Sequence, residues 1–419
     1  MPDKKIWIVN FHTAPPKYAL NQRYAKIVPH LQKAGYQVTV ISSSFLRRHN
    51  KDLSEGKTYN TRLFDGIPYL LIKTKPYKGN GFGRMFAIFL FSLRLLFISK
   101  KYGVPDIIYH NLHVPFDVPV YFAAKRFKAK YIAEVWDLWP EFFPRTGLIR
   151  RNHPFMKIAY SIERWIYAKS KAIVFTLEGG KDYIIEKKWD KSNGGPVDIN
   201  KLHYVNNGID LNQFELDKIN YPSDDSLFHN KKFKVVYIGS MHKANDVLQL
   251  IKAAETLKTT KDIHFILYGD GSERESIIAY CQQHQIDNVT FKEKYLPFQQ
   301  LPAILSKSSL NVMNYQKDFG DYGVSAGKLF LYLAAGKPIL SNVKVNYCIV
   351  RKYNLGVSEV LNNPLDYANA ILKIKNLKEQ DYNEMCLRVK QVAKEFDYSN
   401  LSQKLIEVFA KIENNETHN

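Results

Sequence analysis

The sequence predicts an α/β protein built from two doubly wound, parallel-sheet domains. At 419 residues the chain is too long for one ordinary compact core, so two domains of about 200 residues are expected. Short apolar runs of strand type alternate with helical patterns in both halves, which is typical of parallel βαβ units. A polar, turn-rich stretch separates the two series, and we interpret it as the connection between the domains.

The first series occupies the amino-terminal half. It opens with a strand at Lys5–Asn10, a helix over Asn21–Ala34 that ends at Gly35, and a strand at Tyr36–Ser42. The alternation continues with strands at 106–110, 130–135 and 171–176 and helices at 118–126 and 154–169. We therefore assign residues 1–205 to the first domain.

The second series restarts after the polar stretch. Strands are expected at 233–239, 264–268, 289–292, 310–314 and 338–341, and helices at 247–257, 272–284, 301–306 and 328–335. These elements form a second domain over residues 233–395, which the connection at 206–232 joins to the first. An amphipathic helix is expected within residues 396–419 at the end of the chain. One alternative is that this helix returns to the first domain and packs against it.

The charge balance restricts the partners. The chain has 60 Lys and Arg against 40 Asp and Glu, a formal net charge of +20. Such an excess favours nucleic acid, anionic lipid or phosphorylated small molecules. No zinc-finger, RNP or KH motif accompanies it and the basic residues are dispersed, so we expect no nucleic-acid partner.

The cysteines and the apolar runs indicate a cytoplasmic setting. Cys281, Cys348 and Cys386 are widely spaced and include no C-x-x-C pair, so neither a disulfide framework nor a zinc site is expected. We expect no signal peptide and no membrane-spanning helix, since the sequence offers no stretch of about 20 uncharged apolar residues.

Three strand-to-helix turns of the second series have the composition of an anion site. They are Gly239-Ser240 with Lys243, Gly269-Asp270-Gly271, and the run Gly323, Val324, Ser325, Ala326, Gly327 and Lys328. Glycine lets the backbone approach a phosphate, the helix start favours negative charge, and lysines add charge-assisted contacts. One such glycine is more often structural, but three turns in one domain favour a phosphate-bearing ligand. None is a P-loop.

Four polar residues of the first series lie near the carboxyl ends of strands. His12, His113 and Asp137 each follow a predicted strand, and Arg23 lies on the helix behind His12. In an open parallel sheet these ends line the ligand cleft. A histidine there is often only structural. Asp137 is the strongest candidate, because a charged group between two tryptophans needs a partner or a function.

The second series carries a family resemblance. The segment GVSAGKLFLYLAAGKPIL at Gly323–Leu340 resembles the donor-site motif of family 4 glycosyltransferases of the GT-B architecture. The segments Lys234–Ala254, Phe265–Ile277 and His203–Phe214 look like three more landmarks of that family, in the right order. In the first series, AEVWDLWPEF at Ala133–Phe142 is similar to members that build bacterial cell-surface polysaccharides. The resemblance covers nearly the whole chain.

This resemblance implies two Rossmann-like domains that face a central cleft, with a nucleotide sugar in the second and an acceptor in the first. The implied donor contacts are Gly239, Ser240, Lys243, Ser325, Ala326, Gly327 and Lys328 for the diphosphate, Gly269, Asp270 and Gly271 for the nucleoside, and Tyr295 and Leu296 for the base. Gly323 is a further implied donor contact, at the position where many members have a glutamate near the donor sugar. Asp137 and His113 are the expected catalytic residues, which would position the acceptor hydroxyl or carry its proton. His12 and Arg23 are expected to bind the acceptor.

The chain departs from the family pattern at two glutamate positions. Many members have glutamates eight positions apart, near the donor sugar and on the ribose, where this chain has Gly323 and Leu331. Leucine cannot accept a hydrogen bond from ribose. An arginine that often follows the first glycine is replaced by Ser240.

The expected reaction is sugar transfer with retention of configuration, from a UDP-sugar. Lys243, Lys328 and the N–H groups at the helix start would stabilise the departing diphosphate. With this charge present, and with no D-x-D motif, we expect neither a metal ion nor a cofactor.

A membrane surface is the expected place of action. The apolar, basic stretch Phe82–Tyr102 is too short to span a bilayer but suits its surface, although a helix buried on the first sheet would also explain it. The expected membrane-facing residues are Arg84, Phe86, Phe89, Arg94, Lys100 and Lys101. A second basic, aromatic stretch at Met156–Lys171 adds to the positive surface. We therefore expect a peripheral protein of the inner face of the cell membrane.

The expected acceptor is a polyprenyl-diphosphate saccharide, as in capsule or O-antigen synthesis. Two alternatives stay open: a sugar-nucleotide epimerase on the same fold, and a homologue that binds donor or lipid without turnover.

Overall fold

The computed structural model describes residues 4–19, 23–79, 81–145, 147–315, 321–343 and 345–414. The chain divides into two compact units. Unit 1 comprises Met1–Asn206 together with Leu401–Asn419, and unit 2 comprises Asn207–Asn400. Of the helix predicted over residues 21–34, Asn21 and Gln22 lie outside the described residues.

Unit 1 is an alternating α/β series with two inserted antiparallel strand pairs, a small separate one and one at the edge of the main sheet. Its elements are β1 (Lys5–Val9), α1 (Arg23–Lys33), β2 (Gln37–Ser43), β3 (Phe45–Leu46), β4 (Lys51–Asp52), β5 (Tyr59–Phe64), β6 (Ile67–Ile72), α2 (Phe82–Leu96), β7 (Ile107–Asn111), α3 (Pro119–Phe127), β8 (Lys130–Val135), α4 (Phe142–Arg145), α5 (Pro154–Lys169), β9 (Ala172–Phe175), α6 (Gly180–Glu186) and β10 (Leu202–Tyr204).

The main sheet of unit 1 has the strand order β10-β9-β8-β7-β1-β2-β6-β5. All its pairings are parallel except that of β5 with β6, which is an antiparallel hairpin at the edge. The sequence analysis missed this hairpin, since only one face of β5 contributes buried side chains. The strand order reverses between β1 and β7, which makes the loops after these two strands the expected ligand-binding edge.

Unit 2 repeats the alternation without a hairpin. Its elements are α7 (Leu211–Asn220), β11 (Phe233–Ile238), α8 (Val247–Thr256), β12 (Ile263–Tyr268), α9 (Arg274–Gln283), β13 (Val289–Phe291), α10 (Leu301–Ser306), β14 (Leu310–Met313), α11 (Gly327–Ala335), β15 (Ile339–Ser341), α12 (Ile349–Lys352), β16 (Gly356–Ser358), α13 (Pro364–Lys375) and α14 (Glu379–Glu395), and α15 (Tyr398–Asn414) follows.

The sheet of unit 2 is fully parallel, with the order β13-β12-β11-β14-β15-β16. Apolar side chains pack on both of its faces in two separate clusters. Burial on both faces explains why these strands have continuous apolar sequences. The order reverses between β11 and β14, so the loops after these strands form the corresponding edge.

The predicted connection over residues 206–232 contains helix α7, which the sequence analysis did not predict. The Asp210 carboxylate caps this helix by accepting from the Gln213 N–H at 2.9 Å. Phe214 and Asp217 are buried, whereas the remaining residues of the helix are polar or partly exposed. With so few buried positions, the helical period is too weak to read from the sequence.

The C-terminal helix α15 contributes to the core of unit 1. The ring of Phe409 lies 5.9 Å from that of Tyr36 and 5.7 Å from that of Tyr109, between ring centroids. The Lys130 ammonium also donates to the Ile412 carbonyl at 3.1 Å. The last helix thus joins the first unit in space although it is last in sequence.

Helix α2 has one buried face and one exposed face, so the alternative of a fully buried helix is wrong, and contact with a membrane stays a prediction. Ala87, Ile88, Phe91 and Leu95 are buried, while an exposed stripe runs along another face. Among the described residues, no helix combines the length and the apolar composition that crossing a bilayer requires.

Candidate functional site

The glycine turns of unit 2 meet at the edge where its strand order reverses. Gly239 follows β11 and Gly269 follows β12, and both have positive φ, 151° and 128°. A Cβ at Gly269 would lie 1.9 Å from the Gly239 carbonyl oxygen, so only glycine permits this approach of the two backbones. The Met241 N–H donates to the Asp270 carbonyl at 2.8 Å and joins the loops.

Lys328 lies against these loops, in the first turn of α11. A Cβ at Gly239 would lie 3.1 Å from its ammonium nitrogen. The Nζ atom is buried and has no hydrogen-bond partner among the described residues. It lies 4.9 Å from the ring centroid of Tyr237 and 5.2 Å from that of Tyr315. Desolvation by burial lowers the pKa of Lys328 to about 8.

A buried ammonium with aromatic neighbours but no carboxylate is poorly compensated. Cation–π contact replaces part of the lost hydration, and an anion would replace the rest. The arrangement of Lys328 at the start of a helix, over glycine backbone, therefore suits a bound phosphate.

The other predicted phosphate contacts lie on the same loops with less defined geometry. The Ser240 hydroxyl accepts from the Asn245 amide at 2.8 Å. Ser325 is held by Asn207, whose backbone N–H donates to its hydroxyl at 3.3 Å. Lys243 begins a 3-10 turn and its side chain is exposed, so the structure does not join it to Lys328. Ala326 and Gly327 lie at the start of α11.

The predicted nucleoside contacts form a small group beside the phosphate loops. The Tyr295 hydroxyl donates to the Asp270 carboxylate at 3.0 Å, and the Tyr295 ring is 76% exposed. Leu296 is partly buried against the unit 2 core, and Gly323 is buried with a φ of 103°. An exposed aromatic ring beside glycine backbone can accept a stacked base.

Leu331 belongs to the hydrophobic core. It is 8% exposed and packs in the cluster that includes Phe330 and Leu333. Its neighbour Tyr332 is fully buried, and its hydroxyl donates to the Val312 carbonyl at 3.1 Å. Position 331 thus offers packing rather than a hydrogen-bond acceptor.

In unit 1, His12 and His113 lie together at the edge where the strand order reverses. Their ring centroids are 4.8 Å apart. The Arg84 guanidinium lies 2.9 Å from His12 Nε2 and stacks over the Trp139 ring at 5.5 Å. Desolvation, followed by the charges of His113, Arg84 and Arg47, lowers the pKa of His12 well below its usual value. His12 is therefore neutral at pH 7 and accepts a hydrogen bond from Arg84.

Asp137 follows β8, next to this pair. It is exposed, yet the surrounding protein atoms raise the pKa of its carboxyl, and the charges of His113 and Arg84 oppose that rise. A carboxyl at this edge with a raised pKa is a reasonable proton acceptor. The structure thus brings His12, His113 and Asp137 to one region of unit 1.

Asp117 is a member of this group that the sequence analysis missed. Its carboxylate lies 3.3 Å from His110 Nε2 and 3.7 Å from His113 Nδ1. Burial lowers the pKa of His110 to about 4. The spacing of His110, His113 and Asp117 around the end of β7 is the sequence pattern from which Asp117 could have been predicted.

Arg23 does not bind an acceptor, contrary to the prediction. It is fully buried and pairs with Glu134 at 3.0 Å. Its guanidinium also donates to the carbonyls of Val205 and Asn206, at 3.0 and 2.5 Å. The helix start turns this side chain inward, so it anchors the end of unit 1.

Arg84 and Arg94 do not face outward, so the prediction that these two arginines face the membrane is wrong. Arg84 contacts His12 and Trp139, and Arg94 donates to the Lys73 carbonyl. Phe86 and Phe89 remain exposed, 51% and 43%, as do Lys100 and Lys101.

A cavity of about 330 Å³ adjoins the histidine pair in unit 1. Basic side chains dominate its polar lining, namely His12, Arg47, Arg48, His49 and Arg84. Among the residues that the structure describes, none that lines this cavity is acidic. It is suited to an anionic or polar ligand.

Two family models match the chain and together span most of it. The model described as Glycosyltransferase Family 4 matches residues 21–213, and that described as Glycosyl transferases group 1 matches residues 222–396. The chain belongs to the GT4-type glycosyltransferases. The predicted family and the predicted GT-B fold are both confirmed.

Solved structures of other glycosyltransferases share this fold at low sequence identity. Sucrose-phosphate synthase from Thermosynechococcus elongatus is 14% identical, with a TM-score of 0.70 over 98% of this chain and 99% of that one. HepE from Anabaena, in complex with UDP and glucose, is 15% identical, with a TM-score of 0.64 over 97% and 100%. Trehalose 6-phosphate synthase from Burkholderia multivorans is 9% identical, with a TM-score of 0.70 over 99% and 100%.

No curated protein sequence matches this glycosyltransferase. Sequence reasoning missed Tyr237, near the end of β11, and Tyr315, which follows β14, and the rings of both lie close to the Lys328 ammonium. Their only sequence signal was an aromatic residue just before each of two ligand loops.

Proposed function

We propose that this enzyme transfers a sugar from a UDP-type donor to a lipid-linked, polyprenyl-diphosphate saccharide, with retention of configuration, in surface polysaccharide synthesis. The observation that carries the donor side is the buried Lys328 ammonium over the Gly239 loop. Solved relatives of the same fold bind UDP or UDP-glucose, which supports a UDP-sugar.

The unit 2 loops suit stabilisation of a departing diphosphate. As the bond from sugar to phosphate breaks, negative charge grows on the leaving oxygen, and preorganised cations and N–H groups lower the energy of that state. Lys328 and the backbone at Ser325 to Lys328 supply these groups without a metal ion. Metal independence is part of the proposal, so chelation by EDTA should leave the rate unchanged.

The unit 1 site suits an acceptor hydroxyl. Asp137 is exposed and His113 is buried beside it at the same strand edge, where Asp117 orients His113. His12 and Arg84 border the adjoining basic cavity, where a polar or anionic part of the acceptor would bind. We assign Asp137 and His113 to positioning the hydroxyl and accepting its proton.

The exposed aromatic residues of α2 and the exposed lysines that follow the helix support a lipid-linked acceptor at an anionic membrane. Phe86 and Phe89 are exposed on a helix whose flanking residues include Lys100 and Lys101. A helix with this pattern binds at the boundary between headgroups and acyl chains.

The donor site is tested by thermal unfolding with UDP, GDP and dTDP. UDP at 100 times its dissociation constant should add about 2.7 kcal/mol of stability. Lys328→Ala should lose this shift, because the buried cation is removed, whereas Lys373→Ala, at an exposed lysine of α13, should retain it. A shift that survives in Lys328→Ala would contradict the assignment.

Transfer is tested with a labelled UDP-sugar and a bacterial lipid extract. Label should enter the lipid phase with wild-type enzyme and not with Lys328→Ala. One observation favours a second function, a donor-binding homologue without turnover. Leu331 is buried at the position where the family pattern predicts a glutamate on the ribose. UDP binding without transfer to lipid or soluble acceptors would establish that alternative.

A further inference from the structure

Unit 1 has a second concave surface, which the site above does not use. It is a groove of about 880 Å³ between the first turn of α2 and the segment that joins α4 to α5. Its apolar lining includes Phe82, Met85, Phe116, Phe143, Leu148 and Phe155. We call it the apolar groove. Among its described lining residues none is acidic, and Arg150 and His153 are basic.

The floor of the apolar groove is held by ring contacts. The centroid of Phe143 lies 5.2 Å from that of Trp139 and 5.9 Å from that of Phe155, and Phe116 stacks on Phe155 at 6.3 Å. Trp139, Phe143 and Met156 are buried and form a cluster of their own, apart from the main core. The groove is therefore preformed, as ligand sites usually are.

Large apolar side chains at the groove face solvent. Phe82 is 95% exposed and Leu148 is 61% exposed. Phe86 and Phe89 follow Phe82 by four and seven positions, so they continue the same face of α2. A contiguous apolar surface of this kind marks a binding site rather than an ordinary protein surface.

The two segments that line most of the groove have an excess of basic residues. Residues 66–105 contain seven Lys and Arg and no Asp or Glu, and residues 142–162 contain four and none. The groove is lined by these two segments together with Phe116. Its partner therefore combines a hydrocarbon part with a negative charge.

Helix α2 places the apolar groove beside the basic cavity. Gly81, Phe82 and Met85 line the groove, whereas Arg84, in the same turn, lines the basic cavity with His12. One molecule with a phosphate head and a hydrocarbon tail can therefore reach both.

We infer that the apolar groove binds the hydrocarbon chain of the lipid acceptor, with the phosphate of that lipid at the basic cavity around Arg84. This inference rests on the proposed function and adds the part of the acceptor that unit 1 recognises. The chain contributes affinity by burying methylene groups on the aromatic floor, and the phosphate fixes the orientation.

The inference is tested by calorimetric titration of the full chain with farnesyl diphosphate and with isopentenyl diphosphate. The two probes share a diphosphate headgroup and differ mainly in the length of the isoprenoid chain, and both are kept below the concentration at which micelles form. Farnesyl diphosphate should bind at least tenfold more tightly. Phe82→Gln and Leu148→Gln should remove most of that ratio and leave isopentenyl diphosphate within about threefold.

Leu387→Gln is the matched control. Leu387 is 67% exposed on α14 of unit 2, close to the exposure of Leu148, so its substitution removes the same apolar surface elsewhere and should leave the ratio intact. Equal affinity for the two probes, or a ratio that the groove variants do not change, would overturn the inference. A further result would also overturn it, namely groove variants that no longer sediment with anionic vesicles together with a wild-type enzyme that shows no chain-length preference. The groove would then be only a contact with the bilayer.

The UDP-induced thermal shift, measured on the same variants, separates the two proposals. An intact shift without chain-length preference rejects the groove and leaves the donor site standing. Chain-length preference without sugar transfer rejects the reaction and supports the groove.

Discussion

At the scale of the residue, the environment of Lys328 is the most informative feature of the donor site. The lysine is close to two tyrosine rings and to glycine backbone, but its Nζ contacts no carboxylate among the described residues. Burial without an anion favours the neutral amine, which is why its pKa falls to about 8. A bound diphosphate reverses this preference, so donor binding and protonation of Lys328 are linked.

Donor binding should therefore weaken at alkaline pH. The Lys328 charge is present below a pKa of about 8 and is lost as the pH rises through that value. We expect UDP to bind roughly tenfold more weakly at pH 9 than at pH 7, because one unit above the pKa only about a tenth of the lysine is charged. Calorimetric titration across this range measures the effect.

Lys328→Arg is the control for this pH dependence. Its guanidinium stays charged throughout, so any residual affinity should be flat between pH 7 and pH 9. A flat profile in the wild-type enzyme would show that Lys328 does not titrate in this range.

At the scale of the element, helices α5 and α6 are joined by a buried acid. Glu163 of α5 is fully buried and accepts from the Tyr183 hydroxyl of α6 at 2.9 Å. Desolvation raises the pKa of Glu163 to about 8, with the tyrosine hydrogen bonds and the Lys187 charge opposing the rise. The folded state thus holds a proton here that the unfolded chain releases near pH 4.5.

Glu163→Gln should make unit 1 less sensitive to pH. Stability from the protonated acid is fully present below pH 4.5 and is lost as the pH rises to about 8. Glutamine resembles the neutral acid and does not titrate. From pH 5 to pH 8 the unfolding free energy of the variant should therefore rise relative to that of the wild type by on the order of a few kcal/mol, which thermal unfolding measures as a relative gain in melting temperature. A constant difference between the two proteins would refute the buried proton.

At the scale of the whole molecule, the chain leaves unit 1 and returns to it. Helix α15 adds Phe409, fully buried, to a core that also contains Tyr36 and Tyr109. Unit 1 therefore depends on residues that follow unit 2 in the chain, whereas unit 2 is one continuous segment.

Phe409→Ala should destabilise unit 1 selectively. Removal of a fully buried phenylalanine typically costs about 3–5 kcal/mol. Hydrogen exchange followed by mass spectrometry should show lost protection in the strands of unit 1, and the thermal shift that UDP produces through unit 2 should persist. Faster exchange confined to unit 2, Asn207–Asn400, would contradict this prediction, because α15 would then stabilise unit 2 rather than unit 1.

Much of the site could be predicted from sequence, for an identifiable reason. Gly239, Gly269 and Lys328 lie in loops after strands, and a loop of this composition is visible locally. Arg23 was misassigned because its position on α1 does not reveal which way the side chain points. Asp117 and the tyrosines around Lys328 were missed because their roles depend on residues far away in the chain.

The sequence by itself determined the alternation of strands and helices, the two-unit division and the family motif, since each depends on periodicity and composition within short windows. Only the tertiary structure decided that α15 completes unit 1, that Arg84 meets His12, and that Phe82 and Leu148 border one apolar groove. These contacts join segments tens to hundreds of residues apart, and side-chain burial there follows from how the sheets and helices pack, which no local pattern encodes.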